Sequence, residues 1–255
     1  MSRRNRLILI LASLLASSVP SLGARPTHAE EALVAVASNF AGIAHALEAD
    51  FERATEHELR ITTGSTGKLF AQIVHGAPYD VFLAADRARP SRLVDEGYAI
   101  ESSRRTYASG RLALVSKSRE AADLQARLSS GAFNRLAIAN PDLAPYGRAA
   151  MEVLAKLGLA ERAAPRLVMG ENIGQTYALA ATGNADLAFV STSQLRPADR
   201  IGSLWRVPAE LHAPIRQDVV LLVQAKENEA ALAFLTYLDG PAARAKITAA
   251  GYEVE

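Results

Sequence analysis

Cysteine is absent from the 255-residue sequence. The chain therefore has no disulfide bonds, no thiolate metal ligands and no cysteine that could carry a lipid anchor behind a signal segment. Long apolar runs are also missing after the first 29 residues, so no second segment reaches the length of a membrane span. What is present is a 49% hydrophobic composition, which is ample for one large domain or two smaller lobes.

The first 29 residues have the pattern of a secretory signal peptide. The basic stretch MSRRNR precedes the apolar stretch LILILASLLA, and small residues follow. Cleavage after Ala24 fits this pattern, but THA before Glu30 is a better small-x-small match and favours cleavage after Ala29. We therefore expect a periplasmic protein with no membrane insertion once the signal is removed.

Removal of this segment changes the charge balance. Its four arginines, taken from the 28 basic residues, leave 24 basic against 27 acidic residues and a net charge of −3. A mildly acidic exported chain is not suited to hold nucleic acid or an anionic membrane by bulk charge. We therefore expect neither nucleic acid nor a membrane surface as a partner.

Short apolar runs alternate with helical periodicity from Glu30 onward. This alternation predicts an α/β fold with mostly parallel sheets flanked by helices. The β-α units are too many and too evenly spaced for one sheet, so we expect two lobes: 30–110 with 218–255, and 111–217. The stretch SRRTYASGR at the first boundary is predicted to be a solvated connection. Strands are predicted at ALVAVA, LRITT, YDVFLAA, RLALVS, RLAIAN, RLVMG, ADLAFVS and DVVLLVQ.

The stretch ITTGSTGKLF, residues 61–70, places glycine, hydroxyl residues and a lysine between a strand and a helix. A nucleotide-binding P-loop needs glycine where Thr62 stands and Ser or Thr where Leu69 stands, so the hydroxyl that would bind magnesium is missing. Taken alone, the loop is more typical of a helix cap formed by Ser65 or Thr66.

Three other loops occupy equivalent strand-to-helix positions. AVASNF contains Ser38 and Asn39, ANPDLAPYG contains Tyr146, and GENIGQTY contains Ile173. In open α/β sheets, ligands bind outside the carboxyl ends of the strands, where such loops lie. Helix N-termini there offer unsatisfied N–H groups and a partial positive charge. Four loops of this kind predict a site for an anion.

The pattern gives little support to a metal site or an enzyme. Ser38, His45 and Asp50 lie on one loop and helix and would not form a catalytic triad, and there is no G-x-S-x-G motif. An exported hydrolase that used Ser38 or Thr66 as nucleophile would lack a base within reach. Metal-ligand spacing is absent among His45, His57, His75 and His212.

The same stretches occur in a known order along the chain. VAVASNF comes first, followed by TTGSTGKLFAQIVHGAPYDVFLAAD, IANPDLAPYGRAAMEVLAKLG and ENIGQTYALAATGNADLAFV, and then by DVVLLVQ and FLTYLDGPAARAKITAAGY. In this order the chain resembles the periplasmic molybdate-binding proteins of ABC importers, the ModA family. The resemblance covers essentially the whole mature chain, and GAPYDVFLAAD and NPDLAPYG are its most specific parts.

The resemblance implies a two-lobed periplasmic binding protein of the class II type. Such a protein is a monomer that captures molybdate or tungstate and delivers it to the membrane permease of an ABC importer. It has no enzymatic activity, no cofactor and no metal beyond the molybdenum of the bound oxyanion. Hydroxyl groups and backbone amides hold the oxyanion in the cleft between the lobes.

Residue roles are carried over from the matching motifs. Ser38 and Asn39 supply contacts from the first loop, and Ile173 donates its backbone N–H. Thr66 takes the place of the family's ligand hydroxyl, with its neighbour Ser65 kept as the alternative. Some family members bind the ligand with a tyrosine at the position of Ser191, and others use the tyrosine of APYG. The second pattern fits here, so the resemblance assigns the fifth contact to Tyr146 and none to Ser191.

The expected site also discriminates among oxyanions. A fully deprotonated tetrahedral dianion presents only acceptors, so a site made of donors suits it. Phosphate keeps a proton near neutral pH and would be helped by an acceptor carboxylate; the nearest candidates, Asp142 and Glu171, are expected to cap helices or face water. Lys68 is expected to lie on the helix surface. Sulfate remains the alternative ligand, because the size of the cavity is not readable from the sequence.

Overall fold

The structure, a computed structural model, describes residues 29–118, 123–195 and 202–254. The predicted signal peptide lies outside the described residues except for Ala29. None of the described helices combines the length and hydrophobicity that a membrane crossing requires.

The first sheet belongs to a lobe built from both ends of the described chain. Its strands are β1 (Glu31–Ala37), β2 (Glu58–Gly64), β3 (Val81–Leu83), β4 (Arg105–Gly110) and β10 (Ile215–Leu221). They lie in the order β2-β1-β3-β10-β4. β1 pairs in parallel with β2 and β3, and β10 is antiparallel to both of its neighbours. Four of the five strands therefore run in one direction.

The second sheet repeats this pattern with the middle of the chain. Its strands are β5 (Leu112–Ser116), β6 (Leu136–Ala139), β7 (Leu167–Gly170), β8 (Leu187–Ser191) and β9 (Ser203–Arg206). They lie in the order β7-β6-β8-β5-β9, and here β5 is the reversed strand. The prediction of a two-lobed α/β fold with a mostly parallel sheet in each lobe is confirmed.

Helices flank both sheets, and several of them are followed by a glycine. Gly76, Gly97 and Gly158 follow helices with φ values of 86°, 79° and 68°, a left-handed conformation that glycine adopts without steric cost. The first lobe contains α1 (Ala41–Ala54), α2 (Thr66–Val74), α3 (Ala88–Asp95), α8 (Glu229–Asp239) and α9 (Pro241–Ala249). The second contains α4 (Leu124–Ser130), α5 (Pro145–Lys156), α6 (Ala160–Ala163) and α7 (Ile173–Thr182).

Each lobe buries its own apolar residues between sheet and helices. Phe51 of α1 packs edge-on against Phe234 of α8, with ring centroids 5.6 Å apart, in the core of the first lobe. Leu114, Leu154 and Phe189 are fully buried in the core of the second. Full burial of such side chains contributes about 1.5–3 kcal/mol each. Each lobe therefore has its own core, and the core of the second lobe also includes Ala37 and Ala85 of the first, where the lobes meet.

The first connection between the lobes differs from the prediction. The stretch SRRTYASGR is not a solvated linker, because most of it forms β4, with Tyr107 and Ala108 buried. The arginines made this stretch look solvent-exposed in the sequence. In the structure Arg104 donates a hydrogen bond to the Asp218 carboxylate at 3.0 Å, so its charge is paired within the fold. The chain passes from β4 to β5 within three residues, 110–112.

The return connection also lies elsewhere than expected. β10 begins at Ile215, ahead of the apolar run that starts at Asp218, so residues 215–217 pair in the first sheet and not in the second. The first part of this strand was not predicted, because Arg216 and Gln217 are polar. β9 is not among the predicted strands, since its four residues, SLWR, alternate between half-buried and exposed positions at the sheet edge.

Candidate functional site

A small cavity lies between the two lobes, beyond the carboxyl ends of β1, β2 and β6. Its volume is about 10 Å³. Five of its lining residues are alanine, glycine or proline, and no charged side chain is among the described residues that form its wall. The structure brings the predicted residues together, because the other lining residues are Ser38, Asn39, Ser65, Thr66, Tyr146 and Ile173.

Three helices begin at the wall of this cavity. α2 starts at Thr66, α5 at Pro145 and α7 at Ile173. The first N–H groups of a helix have no acceptor within the helix, and the aligned peptide dipoles give this end a partial positive charge. An anion in the cavity would therefore meet both free donors and a favourable field.

The two adjacent hydroxyls of the GSTGK loop have different surroundings. The Thr66 hydroxyl accepts a hydrogen bond from the backbone N–H of Ala85 at 3.1 Å. The Ser65 hydroxyl is buried, does not cap α2, and has no hydrogen-bond partner among the described residues. A buried hydroxyl without a partner costs about 1–3 kcal/mol. Within the described part of the chain, the Ser65 hydroxyl thus lacks a partner altogether, whereas the Thr66 oxygen is engaged and only its proton is free to donate.

Asn39 uses its side chain for a different purpose. Its amide nitrogen donates to the Gln217 side-chain oxygen and to the Tyr252 hydroxyl, both at 2.9 Å. Its backbone N–H has no hydrogen-bond partner within the described part of the chain and is next to that of Ser38, which donates to Gly64 O at 2.9 Å. If Asn39 contacts a ligand, the backbone N–H is the group free to do so.

Tyr146 lines the cavity, and its hydroxyl joins a buried polar network. The side chain is 1% exposed. Its oxygen accepts hydrogen bonds from the Ser191 hydroxyl at 3.0 Å and from the Gln217 amide nitrogen at 3.4 Å. Burial raises the pKa of Tyr146 well above its usual value, and the neighbouring Tyr252 adds to the effect. The phenol therefore remains protonated at neutral pH and keeps a proton to donate.

Sequence reasoning missed the polar network behind the tyrosine. Ser191 has no role in the prediction, yet it bonds directly to Tyr146 and to Ser193. Ser193 in turn contacts Tyr252 at 2.9 Å. The fully buried Gln217 is the last residue of the predicted second lobe, but it lies in a strand of the first sheet. A glutamine next to an apolar strand was the one available signal, but burial is not visible in the sequence.

Contacts between the lobes close the cleft above the cavity. The backbone N–H of Gly67 donates to Leu143 O at 2.8 Å, and a Cβ at position 67 would lie 3.0 Å from the Leu143 Cα atom. Lys68 forms an ion pair with Glu171 at 2.5 Å across the same opening, with both side chains about half exposed. Lys68 is on the helix surface, as predicted, but it bridges the two lobes.

The other candidates of the sequence lie away from the cavity. His45 Nδ1 is hydrogen-bonded to Glu48 at 2.8 Å, while Asp50 pairs with Arg53 at 2.7 Å, so neither belongs to a triad with Ser38. Within the described ranges, no three histidine or acidic side chains gather where they could hold a metal ion.

Two lobes that each have their own core, with a small polar cavity between them, define the class of extracellular solute-binding proteins. A family model described as a bacterial extracellular solute-binding protein matches residues 32–253. Individual relatives point to a narrower family than this model does. The molybdate-binding protein ModA of Azotobacter vinelandii is 46% identical over 89% of this chain and 91% of its own length. That of Rhodobacter capsulatus is 43% identical over 91% of this chain and 92% of its own.

The fold comparison agrees with the sequence comparison. The solved structure of a periplasmic molybdate-binding protein from Azotobacter vinelandii superimposes with a TM-score of 0.84 at 39% identity, covering 88% of this chain and 99% of the other. The chain belongs to the ModA family of solute-binding proteins.

Proposed function

We propose that this protein binds molybdate in the cavity between its lobes and delivers it to the membrane permease of an ABC importer. The observation that carries the proposal is a small cavity between the lobes whose wall offers neutral donors and, among the described residues, no charged side chain. Relatives at 46% and 43% identity are named molybdate-binding proteins, which supports the same ligand.

Five groups are the proposed contacts. They are the hydroxyls of Ser38, Ser65 and Tyr146 and the backbone N–H groups of Asn39 and Ile173. Thr66, preferred for the hydroxyl contact on sequence grounds, is proposed instead to fix the loop through its bond to Ala85 N–H. Each hydrogen bond to a charged acceptor contributes about 1.5–3 kcal/mol. Five of them sum to about 7.5–15 kcal/mol, and because association costs about 4 kcal/mol or more, submicromolar affinity (about 8 kcal/mol net) needs contacts in the upper part of that range.

The chemistry of the cavity favours a dianion that is fully deprotonated. All the proposed groups donate, and the nearest candidate acceptors point elsewhere: Glu171 is paired with Lys68, and Asp142 is exposed. Tungstate has the same charge and tetrahedral shape as molybdate, so we propose comparable binding. Protonated phosphate lacks an acceptor for its proton. Sulfate differs from molybdate in size, not in charge.

A transport role agrees with the remaining features. The signal-like segment at 1–29 and the periplasmic relative place the mature protein, in this proposal, in the periplasm. Tight capture followed by handover needs two lobes that open and close, and the cross-lobe contacts of Gly67 and Lys68 provide the closed form. A hydrolytic role would require a base beside Ser38 or Ser65, and neither histidine nor a carboxylate is among the described residues that line the cavity.

Calorimetric titration with four oxyanions tests the function. The mature protein is titrated with molybdate, tungstate, sulfate and phosphate at one ionic strength. We expect one site per chain, submicromolar Kd values for molybdate and tungstate, and at least a hundredfold weaker binding of the other two. Tight sulfate or phosphate binding with no response to molybdate would refute the proposal.

Single substitutions in the GSTGK loop separate the two hydroxyls. We expect Ser65→Ala to raise the Kd for molybdate at least tenfold, since a hydrogen bond to a charged acceptor is lost. Thr66→Val should instead lower the melting temperature, because it leaves the Ala85 N–H without its acceptor. Calorimetry and thermal unfolding of both variants provide the measurement. If Thr66→Val loses more affinity for molybdate than Ser65→Ala, the hydroxyl contact comes from Thr66 and not from Ser65.

Closure of the cleft depends on the absence of a side chain at position 67. In Gly67→Ala the new Cβ would approach Leu143 backbone atoms at 3.0–3.1 Å in the closed form. Such overpacking costs about 1–3 kcal/mol, so we expect molybdate affinity to fall about tenfold while the melting temperature without ligand stays near that of the wild type.

Lys68→Ala is the matched control for this prediction. It also removes a cross-lobe contact, but the ion pair with Glu171 is half exposed and contributes only about 0–1 kcal/mol. Its Kd should change less than tenfold. Wild-type affinity in Gly67→Ala, or a larger loss in Lys68→Ala, would contradict this account of closure.

A further inference from the structure

Gln217 connects the return strand to both walls of the cleft. It lies in β10 at a register shift between Gln217 and Asp218, and its side chain is fully buried. Polar side chains of this size are rarely buried without a role for every hydrogen-bonding atom. The glutamine does not line the cavity, so it has no part in the contacts proposed above.

Its amide makes hydrogen bonds with three side chains. The oxygen accepts from the Asn39 amide at 2.9 Å and from the Tyr107 hydroxyl at 3.1 Å, both in the first lobe. The nitrogen donates to the Tyr146 hydroxyl at 3.4 Å, in the second lobe. The glutamine is therefore the junction between a ligand-contact loop of one lobe and the ligand-contact tyrosine of the other.

The hydrogen-bonding positions on the Tyr146 phenol are limited in number. A tyrosine hydroxyl has one proton to donate and can accept at its oxygen from up to two donors. Ser191 and Gln217 occupy the accepting side of Tyr146. Neither of these two donors takes the tyrosine proton, and Tyr146 is one of the residues that line the cavity.

We propose that Gln217 is a positioning residue for oxyanion binding, which holds the Tyr146 hydroxyl with its proton directed into the cavity. The inference rests on the proposed function, because it acts through a contact to the bound anion. It assigns to an uncharged side chain outside the cavity a share of the affinity for the ligand.

The backbone of the first connection supports the same arrangement. A Cβ at Gly110 would lie 2.0 Å from the Tyr146 hydroxyl oxygen and 2.8 Å from the Gln217 amide nitrogen. The chain therefore approaches this pair as closely as a glycine permits. The phenol and the amide are confined between the two connections of the lobes.

A double-mutant cycle on molybdate affinity tests the proposal. Gln217→Met, Tyr146→Phe and the double variant are titrated calorimetrically beside the wild type, after their melting temperatures without ligand confirm folding. We expect each single variant to bind about tenfold more weakly, the size of one hydrogen bond to a charged acceptor. The double variant should be no weaker than Tyr146→Phe, because the role proposed for Gln217 acts through that hydroxyl and not through its bond to Asn39.

Gln217→Glu distinguishes a positioning role from a purely structural one, because only the positioning role predicts that the loss of molybdate affinity depends on pH. At pH 8 the carboxylate would accept the Tyr146 proton and draw it away from the ligand. At pH 5 a protonated buried carboxyl again has one acceptor and one donor, as the amide does. We therefore expect the loss of affinity, relative to the wild type at the same pH, to be several-fold smaller at pH 5.

Other titratable groups near position 217 do not interfere with this comparison. Tyr107, Tyr146 and Tyr252 have pKa values raised by burial, so they stay protonated in this pH range. The Asp218 carboxylate is bound by Arg104 in the wild type and in the variant alike. The matched control is Gln224→Met, an exposed glutamine after the same strand that donates to Tyr79 O and should retain wild-type affinity.

The outcomes separate the inference from the function on which it rests. Three outcomes would overturn the positioning role while molybdate binding by the wild type stands. The losses of affinity could multiply in the double variant, the affinity could be unchanged in Gln217→Met or Tyr146→Phe, or the loss of affinity in Gln217→Glu could be independent of pH. No binding of molybdate by the wild type would overturn both.

Discussion

In the proposed function the protein has to hold a doubly charged anion without a counter-charge, and the arrangement of its lobes depends on this constraint. An ion taken out of water loses its hydration, and only well-placed donors or opposite charges compensate. The described cavity wall has no opposite charge, so donors from both lobes have to converge on one small volume. The fold meets this demand by directing the starts of α2, α5 and α7 at the same place.

Neutral donors also explain why the two lobes have to close. Neither lobe alone supplies all the proposed contacts: Ser38 and Ser65 belong to the first, and Tyr146 and Ile173 to the second. Binding energy is therefore realised only in the closed form, where Gly67 reaches Leu143. A ligand that binds one state more tightly shifts the equilibrium toward it by that difference in affinity, which couples capture to closure. In this account, the shape of the closed protein signals to a permease that the ligand is present.

The fold was largely predictable from the sequence because its elements obey simple periodicities. Apolar runs marked most of the strands, and glycines such as Gly76 marked the helix ends, where a left-handed residue is needed. The four loops predicted to hold the ligand line one cavity, because β-α junctions in such sheets lie at one edge. β4 and the first half of β10 were missed, since polar residues that pair inside the fold have the same composition as solvated ones. Gln217 is the clearest example.

For the proposed site, the sequence indicated which loops line the cavity but not which of their atoms would contact a ligand. Ser65 and Thr66 are adjacent hydroxyls, and only their hydrogen bonds distinguish them. The central claim is that neutral groups alone surround the anion. A crystal structure of the protein with molybdate, with anomalous data at the molybdenum absorption edge, tests it most directly. The account predicts one strong peak in the cavity, with oxyanion oxygens within hydrogen-bonding distance of Ser65, Tyr146 and the Ile173 N–H. A peak elsewhere, or one held by a lysine or arginine, would contradict it.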